Sequence, residues 1–505
     1  MTLQQLCSIL PEARLVGDAG RQINSIRYDS RRVVKGDVFF AIPGSKVDGS
    51  KFIPEALERG AAAIVSESGP GDLLQVHSVS WVQIPDARLA LALAANSFYD
   101  YPSKGIKLIG ITGTNGKTTV AFLVASILNE AGWKPALFGT VGYWQTYGVG
   151  EVQKAVPNTT PESLDLQRML REAANGGAKG AVMEVSSHSL AMHRVTGCQF
   201  HTAVFTNFGR DHLDFHKDLD SYQATKEKLL LQSQFGTVPK FGVLNADDAR
   251  CVALKAKTES RIITFGVESR ADVTPNKWKA TAKGLDITAA TPSGNIELHS
   301  KLVGRHNISN LLAATATALT LDIPLAVIQR GILAVQVPGR MESIQEGQPF
   351  SVFVDYAHTD DALRNLIASS RQLTPDGRIL LVFGCGGDRD RYKRPLMGIA
   401  AGQCDHIFLT SDNPRSEDPI QILNDVMVGL QKVGANYTVE PNRGQAIYLA
   451  LQAAHPADTV LIAGKGHEIF QILRDGSVPF DDRETARRIL HELGFQSSGE
   501  PNEKD

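Results

Sequence analysis

The chain has no run of about 18 apolar residues, the length that a membrane-crossing helix needs. Its first residues, MTLQQLCSILPEARL, lack the basic start and apolar stretch of an export signal. Neither export by that route nor a membrane partner is expected. Cysteine is scarce: Cys7, Cys198, Cys251, Cys385 and Cys404 are odd in number, far apart and never spaced C-x-x-C. That argues against a disulfide framework and a zinc knuckle, and fits a reducing cytoplasm. Net charge is almost absent, since 52 Lys and Arg against 54 Asp and Glu leave -2. No global field would steer a polyanion, so nucleic acid is not an expected partner. There is no internal repeat. What remains, 43% hydrophobic and 21% charged residues, is an ordinary soluble globular composition. At 505 residues the chain exceeds one core, and about 150 residues per domain gives about three.

Short β-branched runs alternate with segments of helical period from end to end, the pattern of α/β domains with mostly parallel sheets. The polar stretch YDYPSKG, 99 to 105, follows the helical ARLALALAANSF and marks a first boundary. Pro338 and Gly339 mark a second, ahead of the strand-like FSVFVDYA. The expected domains are 1–102, 103–336 and 337–495, with 496–505 (SSGEPNEKD and the residue before it) a polar, disordered tail.

KLIGITGTNGKTT, 107 to 119, holds the chemistry most visibly. An apolar strand run through Ile111 leads into a glycine loop, and Val120, Leu123, Val124, Ile127 and Leu128 then recur at helical spacing. Loop amides and a helix N-terminus converge on an anion there, Lys117 adds a charge, and the Thr118 hydroxyl is a Mg²⁺ ligand. Gly113, Thr114, Asn115, Gly116 and Thr119 complete the loop. A strict P-loop would place a glycine at Ile111, so the spacing is short by comparison. A second strand ends at Glu184 and a third runs out at Thr206, followed by His212. In an open α/β sheet ligands gather at the carboxyl ends of strands, which brings Glu184 and His212 toward the Thr118 metal position. The competing reading of Glu184 is a solvated or capping carboxylate. His212 and His216 lack the H-E-x-x-H pattern and do not make a zinc helix.

GTNGKTT (113–119), MEVSSHSL (183–190), TNFGRDHLDFH (206–216), YQATK (222–226), GRHNISNLLAA (304–314), PGRME (338–342), VDYAHT (354–359) and GCGGDRDRYKRPLM (384–397) together resemble the Mur ligases, ATP-dependent amide-bond formers of peptidoglycan precursor synthesis. The family's shorter G-x-x-G-K-[ST] loop accounts for Gly113 and Gly116. The resemblance implies three α/β domains: an N-terminal UDP-binding domain, a central P-loop ATPase-like domain with a mostly parallel sheet, and a C-terminal Rossmann-like domain. It is nearest to members that extend UDP-N-acetylmuramoyl-L-alanyl-D-glutamate by a third amino acid. By it, Tyr28, Ser30, Ser45, Lys46 and Val47 touch the nucleotide sugar, and Asn158, Thr159, Thr160, Ser186, Met192 and Arg194 hold the muramoyl peptide. Thr118, Glu184, His212 and a CO₂-modified Lys226 serve Mg²⁺; on sequence alone Lys226 is a solvated helix-surface lysine. Asn307 and Arg340 resemble nucleotide contacts and Asp355 a junction carboxylate, where spacing alone reads a capping Asn, a surface Arg and a turn Asp. A monomer acting on small molecules is expected.

Three runs in the third domain, RILLVFG, DHIFLTS and DTVLIAG, each lead into a polar loop. Their convergence would gather Arg389, Asp412, Asn413, Pro414, Arg415, Gly464 and Glu468. Two arginines suit two carboxylates, and Asp412 and Glu468 suit ammonium groups. Meso-diaminopimelate fits that demand, whereas lysine leaves one arginine unpaired. DNPR, 412 to 415, resembles the signature of the diaminopimelate-adding members. The competing reading pairs Arg415 with Glu417 or Asp418 in a surface loop. Three alternatives stay open: the same ligase adding L-lysine, a folylpolyglutamate synthetase-like ligase, and a nucleotide-switched binding protein without activity.

Overall fold

The computed structural model describes residues 1–44, 47–71, 79–147, 158–209, 215–231, 238–281 and 284–496. The chain divides into two compact units, Met1–Val273 with Ala313–Gly331, and Thr274–Leu312 with Ile332–Asp505.

The first unit carries two sheets. Strands β1 (Arg14–Val16), β2 (Ile26–Arg27), β3 (Val38–Phe40), β4 (Ala63–Ser66) and β5 (Ser80–Gln83) form a sheet in the order β1-β5-β4-β3-β2. Strands β3, β4 and β5 are buried on both faces, and the period of two shows why. Val38 and Phe40, Ala63 and Val65, and Val82 enter one core with the helix Ala87–Phe98. Phe39, Ile64 and Trp81 enter the other.

The second sheet is built from β6 (Lys107–Thr112), β7 (Ala136–Gly139), β8 (Gly142–Trp144), β9 (Gly180–Glu184), β10 (Phe200–Phe205), β11 (Phe241–Asn245) and β12 (Arg261–Phe265). Their order is β12-β11-β10-β6-β9-β7-β8, parallel except for β8 against β7. The central strand β6 thus has β9 on one side and β10 on the other, with Ile111 opposite Glu184 and Thr112 opposite Phe205. Their carboxyl ends share one rim, which is where the site lies.

In the second unit, β13 (Thr274–Thr281), β14 (Gly284–Thr291) and β15 (Gly294–Ser300) form an antiparallel meander that the α/β expectation did not contain. A six-stranded sheet follows: β16 (Glu342–Ser343), β17 (Ser351–Asp355), β18 (Ile379–Phe383), β19 (His406–Leu409), β20 (Tyr437–Val439) and β21 (Thr459–Ala463), in the order β16-β17-β21-β18-β19-β20. The three sequence-read runs are β18, β19 and β21. Ile379, Leu381 and Phe383 of β18 pack on the helices Asp360–Leu373, Lys393–Ala401 and Pro419–Lys432. Leu380 and Val382 pack on Arg443–Ala453 and Asp482–Glu492. A hairpin of β22 (Phe470–Leu473) and β23 (Gly476–Pro479) lies beyond β21.

Candidate active site

In the first unit the glycine loop joins β6 to the helix Lys117–Glu130, as the alternation of apolar residues foretold. Gly113 has φ +143° and Gly116 φ +84°, and a Cβ on Gly113 would stand 1.9 Å from the Thr206 hydroxyl. No side chain fits there. The segment after β10 laces the loop in place: the Asn115 amide donates to Asn207 Oδ1 (2.9 Å), the Thr114 amide to Asn207 O (3.0 Å), and Thr206 Oγ1 to Asn115 O (2.6 Å). Lys117 Nζ donates to Gly113 O (2.9 Å) and Thr114 O (2.8 Å).

Glu184 is buried, not a solvated carboxylate. Its Oε2 accepts from the Thr118 hydroxyl at 2.9 Å and the Thr140 hydroxyl at 3.2 Å, and its Oε1 from the Thr140 amide at 2.8 Å. Gly139 makes room for it, because a Cβ there would lie 2.3 Å from Oε1. A hydroxyl beside a buried carboxylate is a hard-oxygen donor pair, which fits Mg²⁺. Among the described residues no group of three or more His, Cys, Asp or Glu could hold a metal, so Mg²⁺ there would take further oxygens from nucleotide phosphates and water. His212, Ser45 and Lys46 lie outside the described residues. His216 stacks edge-on against Tyr222, with ring centroids 5.2 Å apart.

Lys226 departs from the solvated reading, being only 1% exposed. Its Nζ donates to Gly113 O at 2.8 Å and sits 4.7 Å above the Tyr222 ring. Two lysines thus meet one carbonyl of the phosphate loop. As an ammonium, Lys226 has no lone pair for a metal; a carbamate would supply one.

The acceptor residues form a second cluster in this unit. Arg194 donates to Glu162 Oε1 (3.1 Å) and Thr160 O (3.2 Å) and lies 3.7 Å from Met192 Sδ. Thr160 Oγ1 donates to Glu184 O (2.8 Å) and accepts from the Ser186 amide (3.3 Å), tying this cluster to the phosphate site. Thr159 pairs with Thr140 at 3.1 Å, and Asn158 is exposed. The sequence reading missed Arg88, which grips Pro43 O (2.7 and 3.0 Å) next to the loop of Val47 and also binds Glu162 Oε1 (2.9 Å). Tyr28 donates to Asp165 (2.5 Å) and Ser30 to Glu55 (2.6 Å). Burial, then Asp165, pushes the Tyr28 phenol up. Arg88, Glu162, Asp165 and Glu55 carry no motif, and nothing in their spacing could have found them.

In the second unit, Arg340 stacks on Tyr356 at 4.8 Å, and Tyr356 on His467 at 5.0 Å. Asp355 accepts from the amides of Met341 (2.7 Å) and Ala357 (2.8 Å); burial raises its carboxyl against the opposing pull of Arg340. Gly339 (φ +63°) and Gly466 (φ +54°) meet main chain to main chain, since a Cβ on Gly339 would stand 2.2 Å from the carbonyl carbon of Gly466. Asn307, in the first turn of the helix His306–Leu319, donates from Nδ2 to Val303 O (2.7 Å) and accepts from Asn310 Nδ2 (2.8 Å).

The loops after β18, β19 and β21 do converge. A Cβ on Gly387 would lie 1.9 Å from Pro414 O, and the Gly387 amide donates to Asn413 O at 2.9 Å. Arg415, at φ +53°, donates to Gly387 O (2.7 Å) and not to Glu417 or Asp418. Glu417 is taken by the buried Arg394 (2.8 Å), which also binds Asp425 (2.9 Å), while Asp418 caps the helix Pro419–Lys432. Arg389 is exposed. Asp412 Oδ1 accepts from the Asn413 amide (2.6 Å), and Gly464 leaves room for Oδ2, which a Cβ would meet at 2.7 Å. Glu468 accepts from Asn413 Nδ2 (2.8 Å) and from Lys465 Nζ (3.0 Å), a residue the sequence reading passed over.

Three family models match in chain order: Mur ligase family, catalytic domain, at 22–99; Mur ligase middle domain at 111–318; and Mur ligase, glutamate ligase domain, at 339–466. A protein of Solibacter usitatus named "UDP-N-acetylmuramoyl-L-alanyl-D-glutamate--2,6-diaminopimelate ligase" is 48% identical, covering 95% of this chain and 96% of its own. One of the same name from Geobacillus thermodenitrificans is 44% identical over 97% of this chain and 100% of its own. A solved structure of a ligase so named aligns with a TM-score of 0.67 at 31% identity, covering 98% of this chain and 99% of that one.

Proposed function

The chain belongs to the Mur ligase family, and from that premise we propose that it joins 2,6-diaminopimelate to UDP-N-acetylmuramoyl-L-alanyl-D-glutamate with ATP, an amide-forming step of peptidoglycan synthesis. The observation that carries this is the nearly full-length likeness to ligases of that name. It is an ATP-dependent, amide-bond-forming enzyme. The three matched segments support domains at 1–102, 103–336 and 337–495. Cytoplasmic work as a monomer on small molecules fits the five free cysteines. Among the described residues no helix is long and apolar enough to cross a membrane.

In the reaction an oxygen of the glutamyl carboxylate attacks Pγ, the bond from Pγ to the β,γ-bridging oxygen breaks, and ADP leaves. The amine of the diamino acid then attacks the acyl phosphate carbon; inorganic phosphate departs, the nitrogen loses a proton to solvent, and the amide remains. The protein's part is positioning and charge neutralisation. Loop amides and Lys117 hold the phosphates, turning Lys117 from its present carbonyls. Thr118 and Glu184 would hold Mg²⁺, which neutralises phosphate charge when bound; His212 and a carbamylated Lys226 would complete the set. Arg194 and Thr160 orient the acceptor, and Tyr28, Ser30 and the loop through Val47 take the nucleotide. Arg389 and Arg415 receive the two carboxylates, and Asp412 and Glu468 the distal ammonium. The meso isomer is the form proposed.

The test is coupled ADP release. It should require both UDP-muramoyl dipeptide and meso-diaminopimelate, and Lys117→Ala should abolish it with the circular dichroism spectrum unchanged. Preference for L-lysine would overturn the amino-acid assignment alone. Turnover with a folate acceptor, or none with any acceptor, would return the sibling ligase or the nucleotide switch.

A further inference from the structure

A buried lysine is costly to ionise unless every one of its N–H groups finds an acceptor. Lys465 meets that condition inside the loop after β21. Its side chain is 0% exposed, and Nζ donates to Phe470 O (2.6 Å), Glu468 Oε2 (3.0 Å) and Asn413 Oδ1 (3.2 Å). Asn413 Oδ1 also accepts from the Ile472 amide at 2.9 Å. With two donors on its oxygen, the amide of Asn413 has only one orientation open, and Nδ2 must face Glu468 Oε2, where it lies at 2.8 Å. Both donors therefore meet the same carboxylate oxygen, while the Glu468 side chain is still 32% exposed. One end of that carboxylate is anchored in the core, and the other is presented.

We propose that Lys465 is the positioning residue of the amino-acid site, acting through Asn413 and Glu468 and touching no substrate itself. This rests on the reading that these loops hold a diamino acid. The lysine does two things. Its ammonium lies 3.0 Å from Glu468 Oε2 and compensates the charge of a carboxylate that is two-thirds buried. It also ties Glu468 down, so that the flexible carboxylate does not pair with Arg389 or Arg415, and both guanidinium groups stay available to ligand carboxylates. A site that must bind a zwitterion with four charges needs its own charges kept apart, and a buried cation is the device that does it here.

The test compares Lys465→Met with wild-type enzyme in the full ligase assay. The KM for meso-diaminopimelate should rise at least about tenfold, with the KM for ATP and for the UDP-muramoyl dipeptide each within about twofold. The double variant Lys465→Met with Glu468→Gln should raise the KM for meso-diaminopimelate no further than Glu468→Gln alone, because the lysine acts through that carboxylate. If the methionine variant does not fold, Lys465→Gln, which keeps a neutral donor, should show the same split in smaller measure. An unchanged KM for the amino acid, or an equal rise in all three KM values, overturns the proposal. Wild-type enzyme whose ADP release ignores meso-diaminopimelate overturns instead the reading of the site on which it rests.

Discussion

His201 shows how one ring can set part of the protein's acid sensitivity. It sits in β10 with Nδ1 3.0 Å from the Thr202 hydroxyl. Burial first, then the ammonium groups of Lys107 and Lys240, lower its pKa to about 4 from 6.5. Unfolded, the ring takes its proton near 6.5, so between pH 6.5 and 4 the unfolded chain binds more protons than the folded one. Stability is therefore full above that window and is lost as pH falls through it. His201→Gln should flatten the Tm against pH between those limits and leave the Tm at pH 8 nearly unchanged; an unaltered slope would show that His201 stays protonated in the fold. Single residues were also where the sequence was least readable. Lys117 announced itself because glycines and a helix start surround it. Lys226 and Lys465 did not, since their burial depends on acceptors far away in sequence, Gly113 O for Lys226 and Asn413 Oδ1 for Lys465. Glu162 and Arg88 were hidden for the same reason, lying 74 positions apart.

At the scale of elements, strands buried on both faces were legible as continuous apolar runs, and β6, β9, β10, β18, β19 and β21 fell where the pattern put them. The meander β13 to β15 was not, because β13 exposes Asn276, Lys277, Trp278 and Lys279 in succession and gives no clean alternation. One element pair is joined by charge as well as by apolar packing. Arg443 and Asp482, both side chains 0% exposed, join the helices Arg443–Ala453 and Asp482–Glu492 through two bonds of 2.7 Å, and Arg443 Nη2 also donates to Ala463 O at 3.0 Å. Breaking such a pair strands a buried charge, at a cost of about 3 to 5 kcal/mol. Asp482→Asn should lower the unfolding free energy of this unit by about that amount in a urea titration, whereas Arg443→Met with Asp482→Leu should recover most of the loss. A single variant within about 0.5 kcal/mol of wild type would mean that the charge is not stranded.

For the whole molecule, the division into two compact units sorts the expected ligands. Tyr28, Ser30, Thr159, Thr160, Ser186, Met192 and Arg194 belong to the first unit; Arg389, Asp412, Asn413, Arg415, Gly464 and Glu468 belong to the second. A chain of this kind does not unfold as one cooperative step. Ligand at 100 times its Kd adds about 2.7 kcal/mol to whatever binds it. Calorimetry should resolve two transitions, one moved upward by the UDP-muramoyl dipeptide and the other by meso-diaminopimelate. A single transition moved equally by both would contradict the sorting.

The contact of Gly339 with Gly466 has a mechanical meaning. Side chains are compliant: they change rotamer and absorb a displacement before passing it on. Where two backbones touch directly there is no such slack, so the segment bearing Arg340 and the segment bearing Lys465 and Glu468 are geared together like meshed teeth. Filling the amino-acid site should then stiffen the Arg340 segment at a distance, read as slower hydrogen exchange of the Met341 amide with meso-diaminopimelate alone, and a methyl group at either glycine should strip the gear.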